Sequence, residues 1–304
     1  MNDTVHGHMV QDLLRHRFGS HDNLICKYSQ KYPVQAEREF QRLTNAYIRI
    51  LNELLKEYLP EIRDAARAER EAGQRHDDAS DLIAKVKTVF SKMTVELERR
   101  TSMFGLHSKI ESMAKLTRKL SIREWKKAVK STLGIDLMDD YYTGELYRTM
   151  MERWVEDNVA LIKTIPQESL GRMRQIALEG YRNGETTTTI VKQIQRTYSV
   201  DRRHAQLLAR DQIAKLNGDI TQQQQQDAGV VEYVWSTSGD SLVRPSHAAL
   251  NHKRFRWDDP PVVDEKTGRR CHPGKDYQCR CCALPVFNIK TVDLPVTKGG
   301  DGRG

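Results

Sequence analysis

The side chains best suited to chemistry crowd into one stretch near the C-terminus. Cys271, His272, Cys279, Cys281 and Cys282 fall within a dozen residues, and Asp240, Arg244, His247, Asn251 and His252 precede them. Thiolate and imidazole are the preferred ligands of zinc, and four of them at tetrahedral corners can pin loops where a hydrophobic core is small. Cys279 and Cys282 form a C-x-x-C pair, and Cys279 and Cys281 a C-x-C pair; either can bite one ion. The other half of a tetrahedral set is expected from His247 and Cys271, both in polar turns beside predicted strands, with His252 and His272 in reserve. The candidate ligands are therefore four at most of His247, Cys271, Cys279, Cys281 and Cys282, and the expected cofactor is one structural Zn²⁺. Alternatively the cysteines are reduced core thiols, because a zinc ribbon would carry a second C-x-x-C upstream. Asp240 and Arg244 are expected to form a buried ion pair that fixes the loop below Trp235.

An enzymatic use of these groups is the competing possibility. Histidines followed by cysteines are loosely similar to metal-dependent nucleases, in which a histidine activates water beside a divalent ion. Those need a helix after the hairpin, whereas the segment after Trp257 is rich in turn residues. There is no phosphate-cradling glycine loop, no G-x-S-x-G elbow and no paired-carboxylate signature elsewhere. The expectation is a protein that is not an enzyme, with a nuclease or other nucleic-acid-processing enzyme as the alternative.

The elements that must position the cluster are legible from periodicity. Val230, Val231, Tyr233, Val234 and Trp235 are strand formers followed by Ser-Thr-Ser-Gly turn chemistry, and residues 255–257 and 284–287 offer two further short strands. Upstream the pattern is helical. Phe40, Leu43, Tyr47, Ile50, Leu51, Leu54 and Leu55 recur at helical spacing, and Leu82, Val86, Val89, Phe90 and Met93 mark a second helix beginning near residues 78–80. Further amphipathic segments run over 108–131, closing at Gly134, and along Tyr142, Leu146, Met150 and Trp154. Pro166 is expected to open a helix closed by Asn183-Gly184. Residues 198–201 predict a break and a new cap before the helix of Ala205, Leu208, Ala209, Ile213, Leu216 and Ile220. The glutamines at 222–226 are expected to extend its exposed face. The sequence thus predicts an N-terminal arm at 1–35, a helical docking region at 36–164, a small α+β domain at 165–290 that a metal would staple, and a flexible tail at 291–304.

Composition narrows the partners. With 304 residues, 30% charged and 7% aromatic, the chain has room for about two domains of modest core. No stretch nears the ~20 consecutive apolar residues of a membrane span, and the N-terminus lacks the charged-then-apolar pattern of a secretion signal. Synthesis in the cytosol follows, and there a cysteine crowd favours metal over disulfides. The formal charge of +8 favours an acidic partner. Lys115, Arg118, Lys119, Arg123, Lys126, Lys127 and Lys130 form a basic run with few acids, a candidate contact for DNA or another polyanion. A solvated helix face accounts for the same run, since no aromatics are interleaved for base stacking.

Order and landmarks together suggest a family. Residues from about 184 to 287 resemble the phage Mu F-type head morphogenesis domain of minor head proteins in tailed phages. The resemblance rests on Ala209-Arg210-Asp211-Gln212 with Asn217, Gly229 ahead of Tyr233-Val234-Trp235, then Asp240, Arg244-Pro245 and His247. It ends on Phe255, Pro273-Gly274 and Cys279-Arg280-Cys281 before Pro285. It implies a minor capsid protein bound near the portal inside the head and acting in prohead assembly, DNA packaging or genome delivery. The implied partners are the portal protein, the major capsid or scaffolding proteins, and packaged DNA through non-specific contacts, with no membrane. The implied location is the virion interior, after assembly in the host cytoplasm. Within the family pattern, His247, Cys279 and Cys281 are the positions a shared metal or structural core would use, and Cys271, His272 and Cys282 are local additions. Such domains also occur fused to toxins; a delivery role is disfavoured by the short segment after Pro285.

Overall fold

A computed structural model of the chain describes residues 4–19, 21–71, 79–138 and 144–294. They comprise α1 (Thr4–Phe18), β1 (Asn23–Ile25), α2 (Val34–Glu71), α3 (Ala79–Ser102), α4 (Leu106–Leu133), α5 (Glu145–Arg182) and α6 (Thr187–Asp227). Then follow β2 (Glu232–Ser236), α7 (Pro245–Leu250), β3 (Arg254–Arg256), β4 (Val262–Asp264), β5 (Arg269–Arg270) and β6 (Cys282–Asn288). The fold is a mainly helical N-terminal region followed by a small strand-bearing C-terminal region. Parts of the chain pattern lie outside the described residues: the break near Gly73, Tyr142, and the tail from residue 295.

Two compact units divide the chain, and neither is continuous in sequence. One comprises Arg38–Met113 and Val155–Ala209; the other comprises Met1–Glu37, Ala114–Trp154 and Arg210–Gly304. Linear boundaries at residues 35, 164 and 290 therefore do not delimit them, because α2, α4, α5 and α6 each contribute residues to both.

The first unit is helical and is held by the stripes legible in the sequence. Leu51, Leu54, Leu55, Val86, Phe90 and Met93 pack with Leu170, Met173, Ile190 and Ile194 in one buried cluster. Each such side chain contributes roughly 1.5–3 kcal/mol on burial. Two expected breaks are absent. Pro166 lies inside α5, where the adjoining Ile165 is buried against Ile48 and Ala205, so packing holds the helix through the lost proline N–H. Asp201 lies inside α6, and its carboxylate takes a 2.7 Å bond from Arg172 Nη2 where a cap would have bonded the backbone.

The second unit contains a four-stranded antiparallel sheet in the order β1-β6-β2-β3. Central β2 is buried at Tyr233, Val234 and Trp235, and its register sets Trp235 opposite Ala283 and Ser236 opposite Cys282. The N-terminal segment orders against this body. Val10 and Leu14 on α1 are buried, and β1 pairs with β6 through Leu24 opposite Phe287. Phe287 in turn meets the Trp125 ring of α4 at 5.8 Å between centroids. Glu124 of α4 fastens the arm again, accepting bonds from the Tyr28 hydroxyl at 2.7 Å and the Lys31 amide at 3.1 Å.

The glutamine tract also departs from expectation. Gln224 and Gln225 are buried, at 1% and 0% exposure. Gln225 Nε2 donates to the Ala283 carbonyl at 2.8 Å, and its Oε1 accepts from Trp257 Nε1 at 3.2 Å. A primary amide both donates and accepts, so it can bridge a strand and an indole where an apolar side chain would leave both unsatisfied.

Candidate metal centre

The cluster is assembled by two short elements brought onto the face of β2. Pro245 starts α7, as its fixed φ favours, and His247 follows in the first turn, buried. The chain then returns through β3 and the β4–β5 hairpin into an irregular loop with two left-handed residues, Gly274 (φ 82°) and Gln278 (φ 51°). The Gln278 conformation is held by its own amide, which donates to Asp211 Oδ1 of α6 at 2.9 Å. Cys279 and Cys281 emerge from that loop just before β6, both buried.

His247, Cys279 and Cys281 bring one ligand atom each to within 4.8 Å of one another, the grouping among the described residues that could hold a metal ion. Nδ1 of His247 lies 3.5 Å from the Cys279 sulfur and 3.6 Å from the Cys281 sulfur. Bonds of about 2.3 Å to sulfur and 2.0–2.1 Å to nitrogen, at tetrahedral angles, place those atoms about 3.6 Å apart. The donor set and spacing therefore fit a zinc-sized ion. The other imidazole nitrogen, Nε2, is bonded at 3.0 Å to Oδ2 of Asp276, a carboxylate only 2% exposed. A carboxylate behind a ligating histidine orients the ring and raises its basicity, as at many metal sites. Asp276 is itself held by Arg269 Nη2 at 3.1 Å and Arg244 Nη1 at 3.3 Å.

The thiols are electrostatically prepared. A hydrogen bond from Cys281 brings the Cys279 thiol down to about 5 against the opposing effect of burial, with His247 and the Cys281 amide (N–H···S, 3.4 Å) adding to it. The Cys281 thiol is pushed up for the same reason, as donor to its neighbour, and by burial. Burial lowers the His247 value, but the bonds to Cys279 and Asp276 outweigh it and leave it raised. Without an ion, these groups form a buried thiol–imidazole–carboxylate chain beside Trp235, whose ring meets that of His247 edge-on at 5.4 Å.

The remaining candidates sit apart from the three ligands. Cys282 Sγ lies 3.3 Å from Ser29 Oγ, and burial raises its pKa. Cys271 is half-buried at the margin of the aromatic core, its pKa raised chiefly by burial. His272 Nδ1 bonds the Tyr233 hydroxyl at 2.9 Å, and burial with nearby Lys275 holds its pKa down to about 4. His252 is exposed with φ 64°. The expected Asp240–Arg244 ion pair does not form. Both residues are exposed; Arg244 reaches Asp276 and the Tyr277 carbonyl, while Asp240 takes Arg280 at 2.6 Å. The loop of 271–281 folds back over α7 and offers each a nearer partner.

Asp276 was missed in the sequence because nothing in Lys275-Asp276-Tyr277 distinguishes it from a solvated acid. Its role depends on a fold-back that no local pattern encodes. The basic run maps to the outer side of α4. Lys115, Lys119, Arg123, Lys127 and Lys130 are exposed, Arg118 and Lys126 half-buried, with Thr117, Ser121, Trp125 and Ala128 buried opposite. Lys127 and Arg123 share Glu124 at 2.8 and 3.7 Å, and Lys130 pairs with Asp136 at 2.9 Å.

Strands β2, β3 and β6 with α7 and a His-Cys-Cys group thus define a small α+β unit organised around a candidate metal centre. Residues 172–284, which include all three candidate ligands, match the family described as Phage Mu protein F like protein, bearing out the resemblance drawn from the chain's landmarks. A protein of Haemophilus influenzae, described as an uncharacterized protein, is 29% identical over 160 residues, covering 53% of this chain and 34% of the relative. The chain therefore spans about a third of that relative's length. No solved structure matches the chain. No described helix is long and apolar enough to cross a membrane.

Proposed function

We propose that the chain is a minor capsid protein of a tailed bacteriophage, bound near the portal inside the head, where it acts in prohead assembly, DNA packaging or genome delivery. The match of residues 172–284 to the Phage Mu protein F like family carries this proposal. The exposed lysines and arginine of α4 support it, since a protein beside packed DNA gains from cations that meet phosphates without reading sequence. Its role is structural and not catalytic. Zn²⁺ held by His247, Cys279 and Cys281 staples the loop of 271–281 to α7, and supplies the cross-link that this small aromatic core lacks. The hairpin β4–β5 follows β3 where the nuclease frame places a helix.

The test is co-expression of the full chain with the portal protein of the same phage genome, followed by size-exclusion chromatography. Co-elution is expected; separate elution at micromolar concentrations of both would count against portal association. Elemental analysis of protein purified without chelator should find zinc near one per chain, lost in a Cys279→Ser, Cys281→Ser double variant. Incubation with DNA and magnesium, manganese or zinc should leave the DNA intact. Metal-dependent cutting abolished by His247→Ala would replace the structural role with nuclease activity.

A further inference from the structure

We infer that the metal at this site keeps one coordination position open to an adjoining cavity, where it takes an oxyanion of the phosphate type. The inference rests on the zinc reading above. Zinc is nearly always four-coordinate, and sites with three protein ligands fill the fourth position from solution. Among the described residues the ligand group has three members. Cys271, the fourth ligand expected from the sequence, lies outside that group and bonds Arg269, while Cys282 and His272 are engaged with Ser29 and Tyr233.

The three ligands share the wall of a cavity of about 200 Å³ with Arg210, Arg244 and Arg280. That volume admits a phosphate group. Two thiolates neutralise a divalent ion, so what the cavity offers an anion beyond the metal is the hydrogen-bond donors of the guanidiniums. Each has an acidic partner to one side: Arg210 Nε meets Glu37 at 3.1 Å, Arg280 Nη2 meets Asp240 at 2.6 Å, and Arg244 Nη1 meets Asp276 at 3.3 Å. A guanidinium has five N–H donors, and these bonds use one each on Arg210 and Arg280. Donors therefore remain on both for a tetrahedral oxyanion, whose several oxygens suit fork-shaped recognition better than any neutral ligand.

The same cavity argues against hydrolysis. Among the described residues its lining contains no carboxylate, and its imidazole, that of His247, is occupied on both nitrogens, by the thiols and by Asp276. A water molecule held there would have no side chain positioned to take its proton, so the cavity is built to hold an anion and not to activate water. The phosphate could be free or could be carried at the end or along the backbone of single-stranded DNA.

The experiment uses the full chain loaded with Co²⁺, whose visible and near-ultraviolet bands report its ligand set. Titration with inorganic phosphate should shift the visible bands in a saturable way, and Arg280→Gln should raise the half-saturating concentration tenfold or more while cobalt still binds stoichiometrically. Parallel titrations use a short single-stranded oligonucleotide with and without a 5′-phosphate. A shift with these and none with inorganic phosphate would keep the site and assign its ligand to DNA. Bands that ignore phosphate and both oligonucleotides in a cobalt-saturated protein would overturn the inference and leave the metal in place. A shift equal in wild type and in an Arg210→Gln, Arg280→Gln variant would overturn the role of the guanidiniums. Failure to bind cobalt at all would sink the metal reading itself, and this inference with it.

Discussion

Replacing Asp276 with asparagine preserves the side chain's shape and removes its charge, which separates a metal centre from an ordinary polar core. In the wild type this carboxylate is 2% exposed, and its Oδ2 bonds His247 Nε2 at 3.0 Å and accepts from Arg244 Nη1 at 3.3 Å and Arg269 Nη2 at 3.4 Å. Asparagine keeps one acceptor for the imidazole N–H but turns an amide donor toward a guanidinium. Arg244 and Arg269 have side chains 43% and 35% exposed, so both can recover water. The cost to the metal-free fold then sits near the low end for bonds to charged groups, about 1.5 kcal/mol. The cost to the metal is separate. Loss of a carboxylate behind a ligating histidine weakens binding about 10- to 100-fold, which is about 1.4–2.7 kcal/mol. In excess zinc the two add, because a ligand bound only to the native state stabilises it in proportion to the logarithm of its affinity. Urea unfolding of wild type and Asp276→Asn in chelator, and again at fixed free zinc, reads the two quantities independently, with affinity checked by competition against a chromophoric chelator. A deficit that is the same with and without zinc, together with unchanged affinity, would refute the carboxylate–histidine–metal relay.

Three further expectations follow from the sheet unit. Gly229→Ala should cost at least the ~1–2 kcal/mol of a left-handed non-glycine residue, since φ is 70° and the added carbon would lie 2.6 Å from the Thr291 carbonyl oxygen; an unchanged urea midpoint would contradict it. Gln225→Leu should lose ~1–3 kcal/mol for each buried group left unpaired, here the Ala283 carbonyl and the Trp257 indole N–H, and a variant as stable as wild type in chelator would show the bridge to be dispensable. Burial raises the Glu124 pKa, but bonds from Lys127, Tyr28 and the Lys31 amide outweigh it and leave it lowered. Its folded-state pKa being depressed, its contribution is complete above the ordinary carboxylate range and is lost as pH falls through the folded value. The stability gap between wild type and Glu124→Gln should therefore be largest near neutrality and close in acid, and a gap that widens below pH 4 would reverse the sign.

The helical stripes were readable because a periodicity of 3.6 needs no knowledge of the partner. Phe40, Leu43, Tyr47, Leu51 and Leu54 face inward whatever they meet, and all are buried. Strands β2 and β6 were readable for a similar reason, as runs of β-formers bounded by turn chemistry, and so was Gly184, whose φ is 74° at the close of α5. Local rules failed where a distant contact outweighed them. Pro166 and Asp201 carry break and cap signals that packing against Ile48 and Ala205, and the bond from Arg172, override. Gln225 looked like a solvent-facing residue until the Ala283 carbonyl and the Trp257 indole were brought to it.

The sequence by itself determined the donor chemistry: cysteines and histidines close together, strand formers on either side, and a chain order of landmarks shared with Mu F-type proteins. Only the tertiary structure decided which donors meet. Spacing left Cys279 free to pair with Cys281 or Cys282, because β6 begins between them and sends one sulfur toward His247 and the other toward Ser29. It could not find Asp276, whose part depends on a loop turning back over α7, nor separate Arg244 from Asp240, which lie four residues apart and take different partners in that loop, Asp276 and Arg280. Ligand identity is a property of residue type, whereas a coordination set is a property of distances, and distances between segments exist only once the chain has folded.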